Sequence, residues 1–462
     1  MSDGAGERRF LAEHRTDLVD QLSEWVAIPS VAGMPEHEAD VTRSANWLAA
    51  AFREAGFPRV ELWPHEGGAA VFAQWHEAAD APTVLVYSHH DVRAVKSENW
   101  DQTAPFVPVQ RGGRLFGRGS SDAKGQALAH LWGVKAHLAA TGAEHPAVNL
   151  TFLIEGEEET GSPHLAELLR EHRSQLDCDL IVFSDTLQWH EEHPAVCTSV
   201  RGMLGARLEV HGPVRDVHSG AVSGPAPNPI IGLSRLLSEL HDEQGRVTLP
   251  GFYDGVGGPT PERRAELAAL PFTDADWIHR SQTRSIIGEE GYTVLERLWE
   301  RPAIEVISII GGDPTGMPRA VIPSVAATDL SIRIAEGQDT KRVGEQLQAW
   351  LAEHGDDNFE YELEVQYESA QEPYRTPAGL PALAALERAV GAGYGVDTVG
   401  RMGNAGSGPM SLLTSTLGDA PIIFFGTGLN EDYWHDSDES VSIQVLIGGA
   451  ATLGVLWSEL AD

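Results

Sequence analysis

Four short runs of apolar residues constrain this chain most: Val84 to Tyr87, Leu150 to Ile154, Leu180 to Phe183 and Ile422 to Phe425. A strand that is apolar on both faces must be covered on both faces. The runs therefore predict the central strands of a mostly parallel sheet flanked by helices. Helical periodicity supplies the covering layers. Leu11, Leu18, Leu22 and Trp25 share one face of a helix that Pro29 stops. Val41, Leu48 and Phe52 share a face of a second helix, near Asp40 to Ala55. Lys124 to Ala140 reads as a helix between two strands, and Ser440 to Glu459 as a closing helix.

The middle of the chain carries a different pattern. Leu204, Ala206, Leu208 and Val210 alternate with their neighbours, as do Leu330, Ile332 and Ile334 with Ser331 and Arg333. Alternation implies a sheet with one wet face. Helical segments near Pro229 to Leu240 and Thr340 to His354 separate these strands. The order strand, helix, strand, strand, helix, strand predicts a small ferredoxin-like α/β sandwich inserted into the first domain. The expected division is a catalytic α/β domain made of residues 1–202 and 376–462, with an inserted lid and dimerisation domain over 203–375. Residues 242–300 read as a mostly helical elaboration with no assigned place.

The chain has 462 residues, a length that suits two or three domains. Its net charge of -35 argues against nucleic acid and anionic membranes as partners. No apolar run is long enough for a transmembrane helix. Met1 to Arg9 is polar and lacks the features of a secretory signal, so cytoplasmic residence is the expectation. Cys178 and Cys197 are too few for a disulfide framework and read as two buried thiols.

Chemistry gathers where the strands end. The first run leads into His89 and Asp91, the second into Glu157, Glu158 and Glu159, the third into Asp185. The fourth opens a loop that reaches His435. Ligands of open α/β sheets collect at the carboxyl ends of the strands. Between the first two runs lies a glycine-rich turn, Gly117 to Gly125, with Asp122 just ahead of a helix. Singly, each residue has an ordinary explanation. Asp122 would be a helix N-cap, the glutamates a solvated turn, His89 or His435 a hydrogen-bonded loop histidine. One His, Asp or Glu after each central strand is better explained by a metal site, since imidazole and carboxylate suit Zn²⁺ and related ions.

Several segments together resemble the motifs of the M20 metallopeptidase family. They are Val86 to Val92, Gly117 to Gly125, Glu155 to Ser162, Ser184 to Thr186, Asp216 to Gly220 and Trp434 to Asp436. The resemblance spans nearly the whole chain and is strongest to the dipeptidase and carnosinase-like branch. Ser88 stands where the family usually has Gly. The resemblance implies a hydrolase of dipeptides or similar small peptide-like substrates. It also implies two divalent metal ions, Zn²⁺ first and Mn²⁺ or Co²⁺ as alternatives. Asp122 would bridge them, with His89 and Asp185 completing one shell and Glu159 and His435 the other. Glu158 would be the general base, and Asp91 would orient His89. His218 would reach the site across a homodimer interface formed by the inserted domain and polarise the scissile carbonyl. Arg333 and Ser407 would hold the substrate carboxylate, a guanidinium being suited to a bidentate grip. Three other functions stay open on the residues. An N-acyl amino acid deacylase would use the same site. A metal-binding protein without turnover would be marked by loss of Glu158. A glycosidase with paired carboxylates would resist chelators.

Overall fold

A computed structural model describes residues 3–96, 99–312 and 319–461. Met1 and Ser2, where the polar N-terminal stretch begins, lie outside the described residues.

The four apolar runs become four adjacent strands at the centre of a nine-stranded sheet, in the order Asn149–Glu155, Thr83–His89, Leu180–Phe183 and Ile422–Phe424. These neighbours pair in parallel. Most of the outer strands do not follow the parallel rule. Gly68–Trp75 runs antiparallel to Asn149–Glu155, and Arg59–His65 forms a hairpin with it. On the other side Ala195–Val200 lies antiparallel to Ile422–Phe424. Gly400–Asn404 pairs with Ala195–Val200 in parallel, so the sheet is parallel at its centre and mixed toward this edge.

Both faces of the sheet are covered, as the runs require. Val84 and Val86 enter one apolar cluster with Leu11, Leu22, Phe52, Leu128 and Leu453. Leu85 and Tyr87 enter a second, on the opposite face, with Leu165, Leu169, Met410 and Leu413. Successive side chains of a strand point to opposite faces, which produces this division. Each fully buried Leu or Phe contributes roughly 1.5–3 kcal/mol relative to exposure. The helical face at the N-terminus is divided between two helices, Ala5–Glu13 and Arg15–Val26, that meet at His14. The closing segment likewise starts as a short strand, Ser440–Ser442, before the helix Ile443–Glu459. The helices Pro261–Ala268 and Val294–Trp299 send Leu267, Leu295 and Trp299 into the second cluster, so part of the 242–300 elaboration packs against the large sheet.

A second, four-stranded sheet is antiparallel throughout, in the order Ala303–Gly311, Val325–Ile334, Gly202–His211, Glu360–Gln371. The helices Pro229–Ser238 and Thr340–His354 bury Leu233, Leu236, Val343, Leu347 and Trp350 against it. Its other face is polar, with Arg207 paired to Asp329 at 3.0 Å. The outer strand Ala303–Gly311 leaves Ile307 and Ile309 exposed, at 65% and 62%.

Both cysteines are free thiols. Cys197 is buried, but Cys178 is only partly so. No helix among the described residues is long and apolar enough to cross a membrane.

Candidate metal centre

His89, the last residue of its strand, is buried and directs Nε2 to Asp122 Oδ1 at 3.1 Å and to Asp185 Oδ1 at 3.8 Å. The other oxygen of Asp122 lies 3.0 Å from His435 Nε2, which in turn lies 3.1 Å from Glu159 Oε2. Two groups of ligand atoms result: His89, Glu158 and Asp185, and Asp122, Glu159 and His435. Asp122 touches a histidine of each group, one with each oxygen. It is not the N-cap of the helix Lys124–Thr141, which has Ala123 in that place and no side-chain cap. The turn before it explains its reach. Gly119 takes a left-handed φ of 87°, and a Cβ on Gly125 would stand 2.1 Å from the Ser120 carbonyl oxygen. Only glycines let the chain fold this tightly under the helix. The Asp122–Ala123 peptide is cis.

Asp91 connects the loops. His89 Nδ1 lies 3.3 Å from its carboxylate and 3.1 Å from its backbone carbonyl. The same carboxylate accepts the backbone N–H groups of Glu158 and Glu159, at 3.2 and 3.0 Å. It therefore orients the histidine and the acidic loop at once. The carboxylate of Glu158 accepts no hydrogen bond among the described residues.

Electrostatics record the crowding. Burial pulls the His89 imidazole down, but the Asp122, Asp185 and Asp91 carboxylates outweigh it and hold it well above its usual value. Asp122 and then Glu159 raise His435 to about 10. Burial pushes Asp122 up, yet hydrogen bonds from His435 and His89 hold it below the carboxylate range. Burial and the neighbouring charge of Asp185 push Glu158 well up. Glu159 Oε1 and Asp185 Oδ1 are buried with no hydrogen-bond partner among the described residues. Carboxylates brought this close, with orphaned oxygens and two imidazoles, fit a pair of divalent cations. Ligation takes ionised carboxylates and neutral imidazoles, so the cations would replace the protons now shared in the cluster.

The remaining expected residues form no hydrogen bond or ion pair with the cluster among the described residues. His218 is exposed, on the short strand Val217–His218, and no hydrogen bond or ion pair among the described residues joins it to the cluster. Its neighbour Asp216 accepts from the Ser324 N–H at 3.0 Å and pins that loop. Arg333 is half-buried on the polar face of the small sheet and forms no ion pair among the described residues; burial lowers its pKa. Ser407 lies in a loop tethered by Asn404 Nδ2 to Thr186 Oγ1 at 3.0 Å, beside Asp185.

Two residues that hold the centre escaped the sequence reading. Glu439, fully buried, accepts the backbone N–H groups of Gly119, Ser121 and Asp122 at 3.0–3.1 Å and the Arg118 guanidinium at 2.7 Å. Burial pushes its carboxyl above the usual value against the pull of Arg118. Asp432 accepts from Ser121 Oγ at 2.5 Å and from the Leu429 N–H at 2.8 Å. Trp434 Nε1 donates to the same Ser121 hydroxyl at 2.8 Å. The glycine-rich turn is thus fastened to the loop that carries His435. Only the closeness of Glu439 to the Trp434–Asp436 segment hints at this in the sequence.

Comparison with known proteins agrees with this geometry. The model of Peptidase family M20/M25/M40 matches residues 85–459. The chain is 25% identical to Beta-Ala-His dipeptidase of Rattus norvegicus over 468 residues, 98% of this chain and 94% of that protein. It is 26% identical to Cysteinylglycine-S-conjugate dipeptidase of Corynebacterium striatum, covering 93% and 92%. The crystal structure of human carnosine dipeptidase 1 shares the fold, with a TM-score of 0.83 at 24% identity, over 100% of this chain and 99% of that one. The family match runs from the strand that ends in His89 through every ligand-bearing loop to the closing helix, and so the chain belongs to Peptidase family M20/M25/M40 as a metallopeptidase.

Proposed function

We propose that this metallopeptidase hydrolyses the amide bond of dipeptides and similar small peptide-like substrates. The observation that carries the reading is the pair of ligand groups joined by Asp122, with the unpartnered Glu158 carboxylate among them. His89, Asp122 and Asp185 would hold one divalent ion, and Asp122, Glu159 and His435 the other. The donor set of imidazole and carboxylate favours Zn²⁺, with Mn²⁺ and Co²⁺ as the alternatives. When bound, such ions lower the pKa of water and polarise a carbonyl oxygen. Glu158 accepts the proton of the attacking water and delivers it to the leaving amine. Its carboxylate accepts no hydrogen bond among the described residues and stands beside His89 and Asp185, where an attacking water would lie. Asp91 is a positioning residue that fixes the His89 ring. Arg333, with no carboxylate partner of its own among the described residues, and Ser407 take the substrate carboxylate.

His218 completes the site from a second copy of the chain. Two observations support this. The residue is solvent-exposed and makes no hydrogen bond or ion pair with its own cluster among the described residues, and the edge strand Ala303–Gly311 exposes Ile307 and Ile309. Residues 203–375 then form the inserted unit that supplies the homodimer interface. A His218→Ala protein and a Glu158→Gln protein should each be inactive. Mixed in equal amounts and exchanged, they should recover about one quarter of wild-type activity, because half the dimers are mixed and each has one intact site. Exchange without recovery would rule out a shared site.

The reading is tested by turnover on a panel of dipeptides and N-acetyl amino acids, with and without chelator. Chelator-sensitive release of amino acids mainly from dipeptides is the expected result. Preference for the N-acyl compounds would move the chain to an N-acyl amino acid deacylase, which uses the same residues. Turnover that survives complete metal removal would overturn both.

A further inference from the structure

Outside the dinuclear centre, three residues from separate elements meet at one point. His65 ends the strand Arg59–His65, Glu157 follows the strand Asn149–Glu155, and His164 stands at the head of the helix Leu165–Glu171. Glu157 Oε2 lies 2.8 Å from His164 Nδ1 and 3.3 Å from His65 Nδ1. The two rings stack with centroids 5.4 Å apart. One ligand atom from each residue lies within 4.8 Å of the others. Glu157 Oε1 accepts the His164 backbone N–H at 2.7 Å, which fixes the carboxylate and turns its other oxygen to the imidazoles.

A single ion pair accounts for Glu157 and His164, but not for the approach of a second imidazole, His65, to the same carboxylate oxygen. One carboxylate balances one imidazolium, yet both rings direct Nδ1 at the same oxygen. The His65 side chain is only 3% exposed, and its Nδ1 also lies 3.0 Å from the Glu66 carbonyl. Its Nε2 is buried with no hydrogen-bond partner among the described residues. An ion facing Glu157 would take the lone pair of one ring nitrogen and exchange the contact with the Glu66 carbonyl for a metal bond. Two donors bound to one tetrahedral ion at about 2.0–2.1 Å stand roughly 3.3 Å apart. The His65 distance of 3.3 Å matches that, and the His164 distance of 2.8 Å, now a hydrogen bond, would lengthen on binding. His164, with its side chain 31% exposed, leaves an entry path and room for water as a further ligand.

We propose that His65, Glu157 and His164 form a third divalent-cation site, of the class that takes Zn²⁺. The ion ties the hairpin at His65 to the loop that bears Glu158 and Glu159. This site does not depend on the peptidase reading, because none of its ligands belongs to the dinuclear pair.

The test is zinc content after equilibrium dialysis against buffered, micromolar free Zn²⁺. The wild-type chain should hold three ions and the His65→Gln, His164→Gln double variant two. A His211→Gln variant, which alters the group of Glu209, His211 and Glu362 on the small sheet, should still hold three. Equal zinc in the wild type and the double variant would overturn the proposal. So would loss of the third ion in His211→Gln. If the double variant does not fold, anomalous difference density at the zinc edge decides on wild-type crystals. A peak among His65, Glu157 and His164 supports the site, and its absence beside occupied peaks at the Asp122 cluster overturns it.

Discussion

Glu158→Gln should lower kcat by about 10²–10⁴-fold, the range that a positioned general base supplies. The substitution keeps the size of the side chain and removes its capacity to take a proton. It leaves the loop in place, because that loop is held through the backbone N–H groups of Glu158 and Glu159 on Asp91, not through the Glu158 carboxylate. Metal content should therefore stay at the wild-type level, and KM should change far less than kcat. Turnover within tenfold of wild type, with metals in place, would remove Glu158 from the role of base. Loss of metal along with activity would instead make it a ligand, which its place beside His89 and Asp185 makes a fair contest.

Glu439→Ala carries the largest expected effect on stability. The carboxylate neutralises Arg118, whose side chain is 3% exposed, and accepts three backbone N–H groups of the turn that leads to Asp122. Removing one partner of a buried pair leaves an uncompensated charge and typically costs about 3–5 kcal/mol. Three N–H groups lose their acceptor as well. A urea melt should show the loss of stability directly. Metal affinity should fall with it, since the turn that aims Asp122 at both histidines would no longer be held. Glu439→Gln keeps one acceptor oxygen and should be milder on both counts. A Glu439→Ala protein with wild-type stability and metal content would show that the glycines and the cluster hold Asp122 without help.

The comparison between these two glutamates shows where sequence reasoning reaches. Glu158 sits directly after a strand that announces itself as apolar on both faces. Strand ends in such sheets are where ligands bind, so position along the chain already points to chemistry. Glu439 acts through amides some 320 residues away, and no local pattern marks a carboxylate that accepts from distant backbone. The same contrast holds for Asp122. Its sequence context is equally good for a helix cap, and only the convergence of His89 and His435 on its two oxygens separates the two roles.

Local periodicity and turn chemistry were sufficient for the four central strands, the alternating strands of the small sheet and the helices that cover them. Each pattern reports how one segment meets apolar surroundings, and the period of the backbone translates it directly. The antiparallel outer strands, the packing of Leu267, Leu295 and Trp299 against the large sheet, and the meeting of His65 with Glu157 and His164 were decided only by tertiary structure. Apart from the hairpin of Arg59–His65 with Gly68–Trp75 and the short step from Glu157 to His164, the partner lies far away in the chain. A pairing of that kind depends on which surfaces the completed sheet brings together, and no single segment contains that information.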